Sequence, residues 1–592
     1  MASEYMSSNS GRFDNLKLSR RSFLGSAAVG AAAIGGTVAA ASSFTPMLAS
    51  AVPDVGGVRE APMIKGEARM SASVSKAAPL PVPTNWSQTA DVVVVGYGGA
   101  GAVTAITAYD AGANVLILEK TPSYATLGFK GTTISGGGGN TSMNAGNAVY
   151  VSDPVAGANY VYQQGWGNTP RSVCEALAWM ETENPAWLTQ MGIKYTLSSA
   201  TGEFPTLPGS SGFGGMSLAS GNVFFQQLDA LVQKRQIPIL FSTAATDLIQ
   251  SPTTGEILGV KALANASEVL NIKANRAVAL TTGSIEYNET YKADSMRVYP
   301  AHFYGWQYCT GDSVTMGSKV GAAMWHMGAM SARMVPWFPQ YPIAFGTCAP
   351  SQHGWIYVDK TGNRYADETE ISTYSHNWWI KLSDFDLTVP WYTRIPSFIV
   401  FDSTCFNAGA ITSGSNGQLP PQLDPRPVWT NALALSNGWI QQGATIPALV
   451  AAMNATAYVG LNPGSTNTSP ASNVTININP TTLQTTLNNY NAFCTSGVDT
   501  QFGRPKSTLI PIVTPPFYAM PLWPGGPSAF GGPVRNAQGQ VCDADNNPIP
   551  RLYAAGENGS IDGMLSLGAN NAQMIAFGRI IGSNAANENP WS

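Results

Sequence analysis

The chain has 592 residues, with 31 basic and 35 acidic side chains, a formal net charge of -4 and 44% hydrophobic residues. A chain of this length holds up to about four domains of ordinary size and buries sizeable cores, which excludes disorder as a whole. Charged residues are 11% of the total, against about 25% in an average globular protein, and no Lys/Arg cluster marks a phosphate-tracking surface. Nucleic acid is therefore not expected as a partner, and an uncharged or weakly polar ligand is favoured.

In chain order, the first signal is SRRSFL, formed by Ser19, Arg20, Arg21, Ser22, Phe23 and Leu24. An uncharged Gly/Ala/Val stretch follows to Pro53, before Asp54 restores charge. This pattern predicts a twin-arginine signal peptide over residues 1–51, with Ala49, Ser50 and Ala51 as an AxA cleavage site. The stretch is too rich in Gly and Ala for a spanning helix, so no transmembrane span is expected after processing. The route is a receptor-read address that carries folded proteins, which suits a cofactor loaded before export to the periplasm or outer cell surface. Residues 52–88, rich in Ser, Ala, Val and Pro, read as a linker.

The stretch from Ala90 to Lys120 reads ADVVVVGYGGAGAVTAITAYDAGANVLILEK. Four valines predict a buried parallel strand, Ala-rich residues 102–112 a helix, and Val115 to Leu118 a second strand. Between strand and helix, Gly96, Gly98 and Gly101 supply GxGxxG. Gly96 permits the tight turn, Gly98 lets the backbone approach a pyrophosphate, and Gly101 lets helix pack closely on strand. Glu119 ends the second strand where a carboxylate accepts hydrogen bonds from ribose hydroxyls. Together these predict dinucleotide binding.

NAD and FAD share this turn, and two further segments favour FAD. GGGGNTSMNAG at residues 136–146 reads as a flexible run able to lie against a flat ring system. RLYAAGENGSIDGMLSLGANNAQMIAFGRIIG at 551–582 reads as a strand, a loop beginning at Gly556 and Glu557, and a helix starting near Asn570. That helix N-terminus would aim backbone N–H groups at a ring oxygen that gains negative charge on reduction.

Taken with GGNT at 138–141, TTGS at 281–284, TGD at 310–312, GNRYADE at 362–368, PPFYAM at 515–520 and LYAAGE at 552–557, these residues resemble one family. It is the FAD-dependent flavoprotein family containing the fumarate reductase and succinate dehydrogenase flavoproteins, soluble fumarate and urocanate reductases, and 3-ketosteroid dehydrogenases. The resemblance covers residues 90–582. It implies an α/β fold with a discontinuous, Rossmann-like FAD-binding domain at residues 88–335 and 512–592, and an inserted α+β capping domain at 336–511. It places the pyrophosphate at Gly96, Gly98, Gly99, Ala100 and Gly101, and the ribose at Glu119 and Lys120. Gly139, Asn140, Thr141, Ala145 and Gly146 then fall along the flavin. Thr282, Gly283, Asp312 and Glu557 fall at further FAD positions, with Asn571 and Ala572 at the helix start near the ring. Read from its own neighbours, Asp312 in TGDS serves equally as a helix N-cap.

Fumarate reductases of this family hold two substrate carboxylates with histidines and arginines, because a dianion in a buried site needs paired positive charge. Here the matching positions are neutral: Tyr341 in QYP, Tyr374 or Ser372 in place of the proton-donating arginine, Ser528 in PSAFGG and Ser566 in MLSLGAN. A C4-dicarboxylate is therefore not the expected substrate. The resemblance to 3-ketosteroid dehydrogenases makes Tyr518 a second catalytic candidate, with a core aromatic as its structural alternative. Arg394 in YTRIPSF either binds substrate or pairs with Asp402 or Asp386. His326 reads as a structural residue on a packed helix, and His353 and His376 as acids of lower rank.

The expected activity is that of an exported FAD oxidoreductase acting on a CH–CH bond, reducing a carbonyl-activated alkene in a neutral, aromatic or steroid-like molecule. A dehydrogenase running in the oxidative direction and a non-catalytic electron relay are the alternatives. Electrons are expected from a separate extracytoplasmic redox protein. Cys174, Cys309, Cys348, Cys405, Cys494 and Cys542 show no CxxC pair and read as buried thiols, and no metal site is expected.

Overall fold

Val92 to Val95 are all buried, as a central strand of a parallel sheet requires. Their strand, Gln88–Val95, pairs in parallel with Val115–Leu118 on one side and with Glu268–Leu280 on the other. Beyond these, Ile239–Leu240 joins Val115–Leu118, while Pro548–Ala554 pairs in parallel with Glu268–Leu280 and carries Gln540–Cys542 at the edge. A hairpin of Thr243–Gln250 and Ile257–Ala264 completes the eight strands. Strands drawn from residues 88–280 and 540–554 thus share one sheet. The computed structural model describes residues 80–128, 134–199, 202–348, 350, 353–369, 376–388, 390–412, 424–461, 472–566 and 570–591. The predicted signal peptide, most of the linker, Tyr374 and Ser372 lie outside them.

Alternation along the central strand divides its side chains between two cores. Val92 and Val94 pack with Val103 and Ile106 of helix Gly99–Asp110 and with Ile575 and Phe577 of helix Asn570–Asn587. Val93 and Val95 pack with Leu116, Leu118, Val278 and Leu280 on the other face. The helix that follows the turn starts at Gly99, three residues earlier than its Ala-rich stretch suggested.

A second, six-stranded sheet is organised around one long strand, Phe517–Gly526. Its first part, Phe517–Leu522, pairs antiparallel with Ser397–Asp402, which in turn carries Trp355–Val358. Its last part pairs with Arg333–Val335 and, in parallel, with His302–Phe303. One strand therefore joins residues of the middle segment to residues that precede it. The core around this sheet is strongly aromatic, with Trp337, Phe345, Trp378 and Trp523 all buried. Smaller strands Asn147–Val151, Phe213–Ser217 and Thr196–Ser199 form a third sheet.

Five of the six cysteines are buried, Cys494 is half-buried, and all six are free thiols. Burial pushes the Cys348 thiol well up and Cys174 up to about 12, which makes both poor nucleophiles. No helix among the described residues is long and apolar enough to cross a membrane.

Candidate active site

The glycine turn is built by close backbone contacts. Gly96 has φ 104°, and a Cβ there would lie 2.6 Å from Thr281 O; a Cβ on Gly101 would lie 2.1 Å from Gly96 O. Gly98 is different, since a Cβ there would meet nothing nearer than 3.8 Å, leaving its backbone open to a cavity. The helix that starts at Gly99 has no side-chain cap and no acidic residue in its first turn, so its N-terminal dipole faces that cavity uncompensated.

Gly96, Gly98, Gly99 and Ala100 of the turn, and Glu119 and Lys120 after the second strand, line one cavity. Gly139, Asn140 and Thr141 continue its wall, and Thr282, Gly283, Asp312, Glu557 and Asn571 complete it. Gly101, Gly146 and Ala572 are packed behind it: a Cβ on Gly146 would lie 2.8 Å from Ser220 backbone, and Ala572 O accepts from Asn184 Nδ2 at 3.0 Å. Ala145 lines a second cavity instead. Residues 139–143 form a short helix rather than a flexible run.

Glu119 is buried and oriented: its Oε2 accepts from Tyr97 N–H at 2.8 Å and its Oε1 from Thr121 N–H and Oγ1–H, each at 2.8 Å. Asp312 is not an N-cap. Gly311 holds that position, and the Asp312 carboxylate pairs with Lys120 Nζ at 2.7 Å across the cavity. Open backbone at the turn, an uncapped helix start and an oriented acid at the second strand suit the pyrophosphate and ribose of FAD, and the Asn140–Glu557 wall suits its ring.

At that wall, Asn140 Nδ2 donates to Glu286 Oε1 and to Glu557 Oε2, each at 2.6 Å. Glu286 Oε2 is buried without a partner. Burial pushes the Glu557 carboxyl up to about 7, and burial with the nearby Glu557 charge holds Glu286 well above its ordinary value. Carboxyls raised in this way take up protons on folding. Their stabilising contribution is complete below the unfolded value of 4.5 and is lost as pH rises through about 7. Glu286→Gln removes one ionisable partner while keeping the acceptor for Asn140. It is expected to raise stability by roughly 1–3 kcal/mol at pH 8, with the gain shrinking towards pH 5. Thermal melts at the two pH values check this, and a lower midpoint for the variant at pH 8 contradicts it.

The second cavity shares Asn140, Asn144, Glu557, Asn570 and Asn571 with the first, so the two meet at this wall. Its outer lining holds Tyr304, Ser331, Arg333, His376, Ser528 and Ser566. Ser528 Oγ accepts from Asn570 Nδ2 at 3.3 Å, and Ser566 N–H donates to Asn377 Oδ1 at 2.9 Å. Arg333 Nη2 donates to His376 Nε2 at 2.7 Å, and His376 Nδ1 meets Glu203 Oε2 at 2.9 Å.

Three expected catalytic residues sit elsewhere. Tyr518 is stacked on Phe406 and Phe401, with centroids 4.3 and 5.6 Å away, and lines neither cavity. Tyr341 packs edge-on against Trp439 at 5.9 Å and Phe345 at 6.0 Å. Arg394 donates to Lys381 O at 2.7 Å and stands 3.8 Å from Asp384; neither Asp402, which caps helix Ser403–Ala408, nor Asp386 is its partner. His326 lies on no helix: it has φ 53°, stacks on Trp325 and bonds Ser560 O at 2.7 Å, and burial lowers its pKa to about 4. His353 lines neither cavity. Arg333, Tyr304 and Glu203 carried no local signal, because each reaches the site through partners distant in sequence.

A family model described as FAD binding domain matches residues 91–571. The chain is 26% identical over 520 residues to an NADH:fumarate oxidoreductase of Klebsiella pneumoniae (strain 342), covering 84% of this chain and 47% of that protein, so it spans about half that relative's length. It is 25% identical over 586 residues to a digoxin reductase of Eggerthella lenta, covering 89% of this chain and 94% of that protein. Among solved structures, a 3-ketosteroid delta1-dehydrogenase from Sterolibacterium denitrificans, in complex with 1,4-androstadiene-3,17-dione, matches with a TM-score of 0.66 at 17% identity. The match covers 84% of this chain and 100% of that one, and is a likeness of fold.

Proposed function

Because the chain belongs to the FAD binding domain family, we propose that it is an FAD-dependent oxidoreductase that reduces a carbonyl-activated carbon–carbon double bond in a neutral, aromatic or steroid-like substrate. In this reading residues 88–335 and 512–592 hold the nucleotide, and residues 336–511 cap it. The names of the two relatives, a fumarate oxidoreductase and a digoxin reductase, support the reaction class.

The observation that carries this reading is the second cavity, which meets the nucleotide cavity at Asn140, Glu557 and Asn570. A substrate there lies against the wall where the resemblance places the flavin ring. Serines 528 and 566 stand where a dicarboxylate site would need cations, and Arg333 is the only Arg or Lys among the described lining residues. Its charge is already balanced by Glu203 through His376. A dianion entering this site would be left without paired positive charge, whereas a neutral enone would not.

Gly96 to Ala100 and Glu119 would hold the pyrophosphate and ribose, and Asn140, Glu557 and Asn571 the ring. Bound FAD in its reduced form supplies a hydride. Tyr304, the tyrosine among the described lining residues, supplies the proton to the α-carbon, the role that the sequence gives to Tyr374 or Ser372, both outside the described residues. Closure of the cap excludes water and strengthens each of these interactions.

Anaerobic mixing of the chemically reduced holoenzyme with a panel of enones, cinnamates, steroids, polyphenols and fumarate tests the proposal. Flavin absorbance near 450 nm is expected to return with at least one neutral unsaturated compound and not with fumarate. No return with any compound overturns it. Export by the twin-arginine route, with electrons from a separate redox protein, completes the reading and rests on Arg20 and Arg21. Cell fractionation of an Arg20→Lys, Arg21→Lys double variant tests it, and unchanged export overturns it.

A further inference from the structure

We infer that Arg333, oriented by His376 and Glu203, anchors the single oxygen acceptor conjugated to the substrate's double bond. The inference rests on the reading above and narrows it to alkenes conjugated to one carbonyl, with no anionic group.

Arg333 comes from strand Arg333–Val335, paired to Gly525 of the long strand, so its backbone is fixed. Nη2 donates to His376 Nε2 at 2.7 Å and Nη1 to Thr347 Oγ1 at 3.3 Å. Because arginine only donates, His376 Nε2 is the acceptor and the ring hydrogen lies on Nδ1, facing Glu203 Oε2 at 2.9 Å. Glu203 also accepts from the His376 backbone N–H at 3.1 Å, which clamps residue and ring together. The guanidinium is thus held by a neutral imidazole whose own orientation is set by a carboxylate.

Two donors of residues in this wall, Arg333 Nε and Ser331 Oγ, are buried with no hydrogen-bond partner among the described residues. Buried donors of this kind are costly unless something accepts from them.

The chemistry requires such a group. As hydride bonds to the β-carbon, the π electrons move towards the carbonyl and negative charge gathers on its oxygen. The guanidinium meets that charge in a site closed to water. The α-carbon then forms its C–H bond with the proton of the Tyr304 hydroxyl, the charge leaves the oxygen, and the phenolate takes a proton from solvent once the site reopens for product release. With Glu203 balancing Arg333, the wall accommodates one developing negative charge, not two.

The test uses the FAD-loaded enzyme and the variants Arg333→Met and Arg333→Lys. An enone, its matched enoate and the matched alkene lacking a carbonyl are each mixed with reduced enzyme. Reoxidation is expected with the enone and not with the enoate or the plain alkene, and reoxidation by the enoate or the plain alkene as fast as by the enone overturns the inference. Arg333→Met is expected to slow it by about 10²–10³-fold with FAD content unchanged, and Arg333→Lys to recover part of the loss. Independently of turnover, para-substituted phenols, whose phenolates mimic the enolate, are titrated into oxidised enzyme and read by the shift in flavin absorbance. Affinity is expected to rise with phenol acidity in the parent enzyme, and that dependence to vanish in Arg333→Met. A variant that reoxidises within about twofold of the parent, FAD retained, overturns the inference while leaving the proposed reduction intact. Failure of every alkene with the parent enzyme overturns the proposed reduction, and the phenol series then decides alone: equal dependence in both proteins overturns the anchor. Should Arg333→Met lose FAD, Arg333→Gln, which removes the charge and keeps a polar side chain, is read in its place with the same expected and overturning results.

Discussion

Replacing Glu368 with glutamine is expected to lower the unfolding free energy by about 3–5 kcal/mol. Its carboxylate lies between two guanidiniums, all three side chains being at most 1% exposed. Oε1 accepts from Arg364 Nε at 2.8 Å, and Oε2 accepts from Arg364 Nη2 at 2.9 Å and from Arg504 Nη1 at 3.1 Å. Asp499 takes a further bond from Arg364 Nη2 at 3.0 Å, and both guanidiniums lie over the Tyr490 ring, at 5.1 and 5.3 Å. Without the Glu368 charge, two buried cations share one carboxylate, and no solvent is present to screen the excess. The exposed Arg171–Glu175 pair is the contrast: with side chains 39% and 46% accessible, its loss in Glu175→Gln is expected to cost no more than about 0.5 kcal/mol. Chemical denaturation of both variants beside the parent checks the difference. Equal midpoints for the two would contradict the assignment.

Replacing Tyr304 with phenylalanine is expected to lower turnover by about 10²–10⁴-fold, the usual contribution of a positioned general acid. Tyr304 is 3% exposed, follows strand His302–Phe303, which is held in register against Gly525 and Gly526, and lines the same cavity as Arg333. Two residues later, Trp306 N–H donates to Asn140 Oδ1, so the same short segment is tied to the wall facing the cofactor. Removing only the hydroxyl leaves this framework intact, and FAD content and thermal midpoint are expected to stay unchanged. Tyr518→Phe is expected to stay within about twofold of the parent, since its ring sits between Phe401 and Phe406. Turnover of Tyr304→Phe within twofold of the parent would discard the assignment.

The nucleotide half of the site was legible because its logic is local. Strand, glycine turn, helix and acid lie within the 31 residues from Ala90 to Lys120, and Gly101 answers a contact with Gly96 inside the same turn. Asn140 and Glu557 were reachable only through resemblance, since 417 positions separate the two partners of one hydrogen bond. Glu286 was missed because a single glutamate after TTGS carries no sign of burial. The substrate side was less legible for a related reason. Tyr518 and Tyr341 have the same local pattern whether they line a site or fill a core, and only the packing of Phe406 and Trp439 distinguishes the two outcomes. Arg333 and His376 meet across 43 positions, and His376 and Glu203 across 173, distances over which no periodicity or spacing rule speaks.

The strand Phe517–Gly526 sets a limit on how this molecule can breathe. Its ladder runs without interruption from Asp402, opposite Phe517, to Arg333 and His302, both opposite Gly525. A rigid beam of this kind cannot serve as a hinge: swinging residues 397–402 outward would tear main-chain hydrogen bonds or drag Arg333 along with them. Opening for substrate entry must therefore pivot on connections away from this strand, and whatever loads its Phe517 end is felt at the Arg333 end as a shift of the anchoring guanidinium.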